Sequence, residues 1–410
     1  MSADARAASN VQQVARARIL LIINSLDGGG AERVMATLLA NSAEWLERHD
    51  VALALLDRKP RAFALPAGIE IIQLDCKGRT WTSVAAVARL VRDHAPDVTM
   101  SFLTRSNLAS GLAMMRRRRP WIVSERTSTP AHLGSGSRQL ATKLLMRLVY
   151  PRASRLIAVS AGIAGKLSRS FGVRPERISV VANPVDIEPL RNSSSEPLDQ
   201  ALERELDTPF VIAVGRLVKV KNYALLLRGF ARSHLDAKLV IAGDGPEREA
   251  LSTLARELGI AERLVLPGWL SNPYPAVSRA ALFALSSDVE GFPNALVEAL
   301  ALNIPAVATN CHDGPAEILA GKGADQLSGL TVTAAGILTP VRDVASFADA
   351  LRLAFAQPQR DSMAIAAGER AKEYSAAQIA AVYWSIIEAE LERARHARSR
   401  RRRAAGRRSS

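Results

Sequence analysis

Short apolar, β-branched runs alternate with longer amphipathic segments along most of the chain, the pattern of parallel strands joined by crossover helices. In the first half, runs at 19–24, 51–56, 69–74, 98–103, 121–124, 156–160 and 178–182 predict buried strands, with helical patterns such as 31–46 and 81–94 between most of them. The rhythm stops at the polar, serine-rich stretch 189–197, which reads as an interdomain connection. It resumes with strand patterns at 210–214, 238–242, 264–266, 281–285, 306–309 and 336–338. From 357 to 395 nearly every residue favours helix, and a long final helix is expected to cross back onto the first domain. The expected organisation is α/β throughout. It comprises a first domain over 1–190, a linker over 191–208, a second domain over 209–375, a returning helix over 376–392 and a tail over 393–410.

A chain of 410 residues, 48% of them apolar, is long enough to bury two cores. The formal net charge of +14 is uneven: from Glu392 onward there are nine Arg against one Glu, so the folded body is only mildly basic. The tail, with Arg400 to Arg403 and then Arg407 and Arg408, lacks apolar periodicity. It is expected to be disordered and free to touch an anionic surface. Cys76 and Cys311 form no disulfide framework and no metal-ligand spacing, which fits a reducing compartment. The N-terminal segment leads into an apolar run, 19–23, too short for a signal-peptide core with its cleavage site. No stretch of about 18 uninterrupted apolar residues predicts a spanning helix, so a cytoplasmic protein, soluble or peripheral, is expected.

In open parallel sheets ligands sit at the carboxyl ends of strands, where helix N-termini favour phosphate. The first such loop is Asn24-Ser25-Leu26-Asp27-Gly28-Gly29-Gly30-Ala31-Glu32-Arg33. Its glycines allow close backbone approach to a ligand, though a tight turn alone would also use them. A dinucleotide fingerprint is disfavoured, because Arg33 stands where the third glycine belongs. The second loop, Val214-Gly215-Arg216-Leu217-Val218-Lys219-Val220-Lys221-Asn222, offers Arg216 as a fork and Lys221 as a point charge for a diphosphate. Solvated surface cations would look the same. Ile241-Ala242-Gly243-Asp244-Gly245-Pro246 is a third strand-to-helix glycine turn, open to the same two readings.

The sharpest signal is Ser286-Ser287-Asp288-Val289-Glu290-Gly291-Phe292-Pro293-Asn294-Ala295-Leu296-Val297-Glu298. Glu290 precedes a helix that starts near Pro293, and Glu298 lies between one and two turns inside it, so both border one cavity. Either carboxylate can accept from sugar or ribose hydroxyls. Gly291, Phe292 and Pro293 place backbone N–H groups and a positive helix end where a leaving diphosphate collects charge.

With these loops in order, the chain resembles the GT-B glycosyltransferases, specifically the retaining enzymes of glycosyltransferase family 4, from Ile19 to about Glu392. The resemblance rests on Gly28-Gly29-Gly30-Ala31-Glu32-Arg33, Asn183-Pro184-Val185-Asp186, Gly215-Arg216-Leu217 with Lys221-Asn222, Gly243-Asp244-Gly245-Pro246, Pro267-Gly268, and Glu290-Gly291-Phe292-Pro293 with Glu298. It implies two Rossmann-like domains facing across a cleft, acceptor in the first and nucleotide-sugar in the second. It further implies that Arg216 and Lys221 bind the donor diphosphate, Glu298 the ribose, and Glu290 with its neighbouring backbone the transferred sugar. Glu290, Arg216 and Lys221 then carry the chemistry. Gly29, Gly30, Gly215, Gly245, Gly291, Phe292, Pro293, Asn294 and Glu298 line the donor. No D-x-D motif stands in a suitable loop, so the reading calls for no metal and no cofactor beyond the donor itself.

Many relatives carry a His after the mid-domain strand, where this chain has Ser124-Glu125-Arg126-Thr127; His49, His94 and His132 read as surface residues. Arg105, Glu125 and Arg126 are the acceptor-side candidates. With Ser101 to Arg105 and Asn310 to Ile318, this segment resembles the branch that extends polyprenyl-diphosphate-linked oligosaccharides from UDP-N-acetylhexosamine or UDP-hexose. The segment 138–152 spaces cations among Leu and Met at helical intervals, as an interfacial helix does, or as an ordinary core helix with a wet cationic face does. With Arg116 to Arg119 and the terminal arginines, it makes an anionic membrane surface an expected partner. Two rivals remain. A nucleotide-sugar epimerase needs acid and base carboxylates facing the sugar from domain one. A nucleic-acid-binding protein would explain the basic tail but not the body.

Overall fold

Inner strands such as Val98–Phe102 and Trp121–Glu125 are buried throughout, as their largely apolar runs require. The first sheet holds β1 (Ala17–Ile23), β2 (His49–Leu55), β3 (Glu70–Gln73), β4 (Val98–Phe102), β5 (Trp121–Glu125), β6 (Arg155–Ala158) and β7 (Ile178–Val180). Their spatial order is β3-β2-β1-β4-β5-β6-β7, paired parallel throughout. The second sheet holds β8 (Phe210–Val214), β9 (Lys238–Ala242), β10 (Leu264–Gly268), β11 (Leu282–Leu285), β12 (Ala306–Thr309), β13 (Thr331–Val332) and β14 (Gly336–Thr339). Its order is β10-β9-β8-β11-β12-β14-β13, parallel except for the outer β13–β14 pair. The two-residue β13 is the one strand the pattern does not announce. The computed structural model describes residues 16–115, 117, 119–126 and 137–406. Residues 1–15, Arg116, Arg118, Thr127, His132, Arg407 and Arg408 lie outside the described residues.

Both sheets wind outward in two directions from their first strand, so each has a switch point, between β1 and β4 and between β8 and β11. At such points the flanking loops part and leave a crevice. These two crevices face one another across the interdomain cleft.

Three details depart from the sequence pattern, each for a local reason. The predicted helix over 31–46 is two helices, Gly30–Ala40 and Ala43–Arg48, broken at Ser42. Ser42 Oγ donates to the Leu38 carbonyl at 2.5 Å and accepts from Trp384 Nε1 at 2.7 Å. The connection expected over 191–208 contains the end of the helix Ile187–Ser194 and the helix Gln200–Glu205, which Asp199 caps through the Ala201 and Leu202 N–H groups. The tail expected to be disordered from residue 393 instead continues the final helix, Ala376–Gly406. Ala and Arg are strong helix formers, and a helix already nucleated by packing propagates at little cost.

That final helix lies on the first domain. Ile379, Tyr383, Trp384, Ile387 and Leu391 share one face and are buried with Leu21, Leu53 and Met100 of the first sheet. The crossing is pinned by the Val185 N–H on the Tyr374 carbonyl at 2.8 Å and the Ala376 N–H on the Val185 carbonyl at 2.9 Å. Trp384 stacks on Trp45 at 5.8 Å. His49, read from sequence as a surface residue, is mostly buried, stacks on the same indole at 5.9 Å and meets Glu388 at 3.1 Å.

Candidate active site

The helices that follow the second and fourth candidate loops, Tyr223–Ser233 and Asn294–Ala301, begin differently. At the helix Tyr223–Ser233, Asn222 adopts a left-handed conformation (φ 46°) and its Oδ1 accepts from the Leu225 N–H at 3.2 Å. That end is filled by its own side chain. At the helix Asn294–Ala301 no side-chain cap exists among the described residues, so the first N–H groups remain available to an anion. Of the two ends near Arg216 and Lys221, the second leaves backbone N–H groups uncapped and the first does not.

Lys221 and Glu290, far apart in sequence, meet at the mouth of that free end. Lys221 Nζ donates to Glu290 Oε1 at 2.6 Å, and Ser287 Oγ donates to the same oxygen at 2.6 Å. The pair is mostly buried, with side-chain exposures of 24% and 10%. Both of these bonds go to Oε1, and Glu290 Oε2 makes no hydrogen bond among the described residues. Arg216 is exposed and forms no salt bridge among the described residues, so its guanidinium is unspent.

The glycines sort into separate roles. Gly215 (φ +156°) brings the backbone beside Lys221 and Tyr223, where a Cβ would sit 2.9 Å from the Tyr223 hydroxyl. Gly245 (φ +156°) is required by packing, because a Cβ there would overlap the Leu217 carbonyl. A Cβ at Gly29 would overlap the Glu32 carboxylate, whereas at Gly30 it would lie 3.3 Å from Asn294 Nδ2, across the cleft. The triple-glycine loop thus lies directly against the free helix end. Gly291 and Pro293 abut Gly314, and Phe292 turns its ring into the core, edge-on to Tyr374 at 5.6 Å. Only the backbone of this segment is offered to the cleft.

Glu298 lies deeper, and its partner is the last residue of the triple-glycine motif, to which the sequence assigns no role. Arg33, from the first domain, reaches Glu298 Oε1 at 3.1 Å and the Tyr274 hydroxyl at 2.6 Å. Burial pushes the Glu298 carboxyl above its ordinary pKa, although Arg33 and Tyr274 pull the other way. Burial likewise opposes charge on Arg33, but the facing Glu298 more than compensates and raises its pKa. A cavity of about 160 Å³ opens beside them, lined by Arg33, Thr37, Asp186, Tyr274 and Glu298 among others.

The acceptor-side candidates do not face the cleft as expected. Glu125 and Arg126 are 1% and 6% exposed. Tyr150 donates to Glu125 Oε2 at 2.7 Å, and burial beside that carboxylate drives the phenol's pKa well up. They stand at and just after the end of a fully buried strand, and Tyr150, Ser124, Tyr383 and Asn183 take up their polar groups, apart from the buried Arg126 Nε, which has no partner among the described residues. Arg105 is spent as a fork on Asp57, with side-chain exposures of 15% and 13%. Burial alone would raise the Asp57 pKa, but the Arg105 fork and the Gly78 N–H hold it below the usual carboxylate value.

The sequence singles out Asn183, Asn294 and the 310–318 loop, but not the contacts by which they clasp the domains. Asn183 Nδ2 donates to Asn294 Oδ1 at 2.6 Å. On the far side of the cleft, Glu317 accepts from the Ala161 and Gly162 N–H groups at 2.8 and 3.3 Å, and Lys166 pairs with Asp313. Nothing in a sequence pattern marks such contacts, because each partner is supplied by the other domain.

Comparison with known proteins places this geometry. Residues 194–373 match the family "Glycosyl transferases group 1", and residues 29–184 match "Glycosyl transferase 4-like domain". The chain is 31% identical over 310 residues to the N-acetylgalactosamine-N,N'-diacetylbacillosaminyl-diphospho-undecaprenol 4-alpha-N-acetylgalactosaminyltransferase of Campylobacter jejuni, covering 73% of this chain and 82% of that one. It is 33% identical over 172 residues to a lipopolysaccharide 1,6-galactosyltransferase of Salmonella typhimurium, 40% of this chain and 45% of that one. A crystal structure of Anabaena HepE in complex with UDP superposes with a TM-score of 0.70 at 19% identity, over 91% of this chain and 100% of the other. Two facing parallel-sheet domains, a free helix end between them and these matches make the chain a member of the group 1 glycosyltransferases, built on the GT-B fold.

Proposed function

We propose that the chain transfers a sugar from a UDP-sugar to a glycan on a polyprenyl-diphosphate carrier, with retention at the anomeric carbon. The observation that carries this is the uncapped N-terminus of the helix Asn294–Ala301, with the Lys221–Glu290 pair at its mouth and the Gly30 backbone opposite. A diphosphate there meets backbone N–H groups, an ammonium and the free Arg216 fork, while Glu290 Oε2 and Glu298 accept from sugar and ribose hydroxyls. In the transfer, the bond from C1 to the β-phosphate oxygen breaks and a bond to the acceptor oxygen forms on the same face. The acceptor proton passes to the departing phosphate, and UDP leaves. Cationic stabilisation of that phosphate is the main contribution asked of the protein, so the proposal needs no resident metal or cofactor. Turnover that persists in excess chelator checks that part.

The donor and acceptor classes draw on the relatives. The solved Anabaena structure holds UDP, and the Campylobacter relative is named for a diphospho-undecaprenol acceptor. The epimerase reading is disfavoured by Glu125, which faces Tyr150 and not the cleft. A membrane-borne acceptor is supported by the helix Ser137–Val149. Its Leu140, Leu144 and Leu148 are 61%, 56% and 42% exposed at four-residue spacing, while Met146 and Val149 form the buried side. The leucine stripe is therefore not core, and beside the exposed Arg147 it has the form of an interfacial face. No helix among the described residues is long and apolar enough to cross a membrane. We place the protein peripherally on the cytoplasmic face.

Thermal stabilisation by UDP-, GDP- and other nucleotide-sugars tests the donor, since a ligand at 100 times its Kd adds about 2.7 kcal/mol. UDP-sugars are expected to stabilise and to be consumed with a short-chain prenyl-diphosphate glycan. The product anomer, read by NMR coupling, is expected to match the donor. Stabilisation by GDP-sugars alone would overturn the donor assignment. Sedimentation with anionic vesicles, lost in Leu140→Ser/Leu144→Ser, tests the surface.

A further inference from the structure

Arg126 is nearly inaccessible, yet its polar contacts run toward the donor site. Its Nη1 donates to the Tyr383 hydroxyl at 2.5 Å and to Ser124 Oγ at 3.1 Å, and its Nη2 donates to Asn183 Oδ1 at 2.6 Å. The guanidinium lies 4.9 Å from the centre of the Phe102 ring, which fixes its plane. Asn183, 6% exposed, in turn donates through Nδ2 to Asn294 Oδ1 at 2.6 Å. Asn294 opens the uncapped helix.

An amide side chain can be turned end for end, so its direction is ordinarily set by its neighbours. Here the first neighbour leaves no choice. Arginine has five donors and no acceptor, so the Asn183 atom that faces it has to be oxygen. The amide nitrogen of Asn183 then faces Asn294 and demands oxygen there as well. The Asn294 NH2 is left over. It makes no hydrogen bond among the described residues and points at the triple-glycine loop, 3.3 Å from where a Gly30 side chain would begin.

We infer that Arg126 and Asn183 are positioning residues for the donor: together they polarise the Asn294 amide so that its NH2 faces the interdomain cleft and donates to an oxygen of the bound UDP-sugar. The inference rests on the donor reading above and reassigns Arg126 from the acceptor side to the support of the donor site. It also gives the final helix a part in the site, since Tyr383 holds the far side of the guanidinium. Gly30 keeps the opposite wall open at the point where the NH2 emerges.

The decisive variant is Asn183→Asp. Aspartate still accepts from Arg126, and more strongly, but it has no N–H for Asn294. The Asn294 amide then turns its NH2 toward the new carboxylate and presents oxygen to the donor, setting acceptor against acceptor. With UDP-sugar and acceptor, kcat/KM is expected to fall by about tenfold to a hundredfold, the range for one misdirected buried hydrogen bond. The thermal midpoint without ligand is expected to stay at the parent value, since the Arg126 contact survives.

A double-mutant cycle separates positioning from general damage. Asn294→Ala removes the group being positioned, so Asn183→Asp/Asn294→Ala is expected to be no worse than Asn294→Ala alone. Binding of UDP and of UDP-sugar to each variant locates the oxygen. A loss confined to UDP-sugar places it on the sugar, and an equal loss for UDP places it on the diphosphate. An Asn183→Asp chain with parental kcat/KM would overturn the relay, as would a double variant whose loss is the product of the two single losses. If the parent bound no UDP-sugar at all, the donor reading beneath the inference would fail instead.

Discussion

The two sheets are wound alike, yet the basic residues at their carboxyl ends meet opposite fates. In the first domain Arg105 is spent on Asp57, and Arg126 is buried among Ser124, Tyr383 and Asn183. In the second, Arg216 stands exposed without an ion pair among the described residues, and Lys221 shares a carboxylate at the mouth of a free helix end. A buried charge has to be matched where it lies, because leaving it unpaired costs more than most folds can spare. A charge at a rim can wait for a ligand. The same motif chemistry, Arg after a parallel strand, thus builds a wall in one domain and leaves an unpaired cation at the surface of the other.

The largest test of that contrast exchanges the two phenotypes. Lys221→Ala or Arg216→Ala is expected to lower turnover by roughly 10² to 10³, the scale for removing one charge-stabilising group, and Arg216→Ala, which breaks no ion pair among the described residues, to keep the parent's thermal midpoint. Arg105→Ala is expected to do the reverse. It orphans Asp57 and should cost about 3 kcal/mol of stability, the low end for breaking a buried pair, while folded enzyme turns over at nearly the parental rate. Denaturant titration beside steady-state kinetics reads both. If Arg105→Ala kept full stability and lost turnover instead, the division between wall and site would be wrong.

What the sequence could show follows the same division. Strand positions, the two-domain split and the Glu290–Glu298 spacing depend on neighbours within a few turns, so periodicity and loop chemistry carry them. The uncapped helix is partly legible too, because Pro293 stands where a capping Ser or Asp would otherwise be. Arg33, Asn183 and Tyr274 are not, since each acquires a role only when the domains close and its partner arrives from more than 100 residues away. Glu125 and Arg126 mislead for the same reason. Their place after a strand suggests a mouth, but Tyr150 and Tyr383, supplied by later helices, cover them. The tail misleads because composition reports solubility, not whether an adjoining helix is already nucleated.

A middle-sized effect concerns the contact between the domains. Glu298→Ala removes the carboxylate shared by Arg33 and Tyr274 and is expected to raise donor KM by about tenfold with little change in kcat, the signature of lost uniform binding. Arg33→Ala, by contrast, leaves Glu298 free for the ribose and should change donor KM less than Glu298→Ala does. Equal losses in the two variants would mean that the ion pair itself, not the carboxylate, serves the donor.

The smallest effect is one of pH, and its sign distinguishes the buried carboxylate of the site from that of the wall. Burial raises the Glu298 pKa above 4.5, so this group contributes stability that is fully present below 4.5 and lost as pH rises through its folded value. Donor affinity runs the other way, because the protonated form no longer accepts from both Arg33 and a ribose hydroxyl. As pH falls from neutral toward 4.5, donor KM is expected to rise by less than about tenfold, and a Glu298→Gln chain should show a flat profile over the same window. Asp57 is held below 3.8 by Arg105, so its contribution is present above that value and is lost only as pH drops beneath it. Between these two windows the site is expected to weaken while the wall still stands. A loss of Arg105-dependent stability at or above the pH where donor KM begins to rise would reverse that order, and with it the assignment of which domain holds its charges for structure.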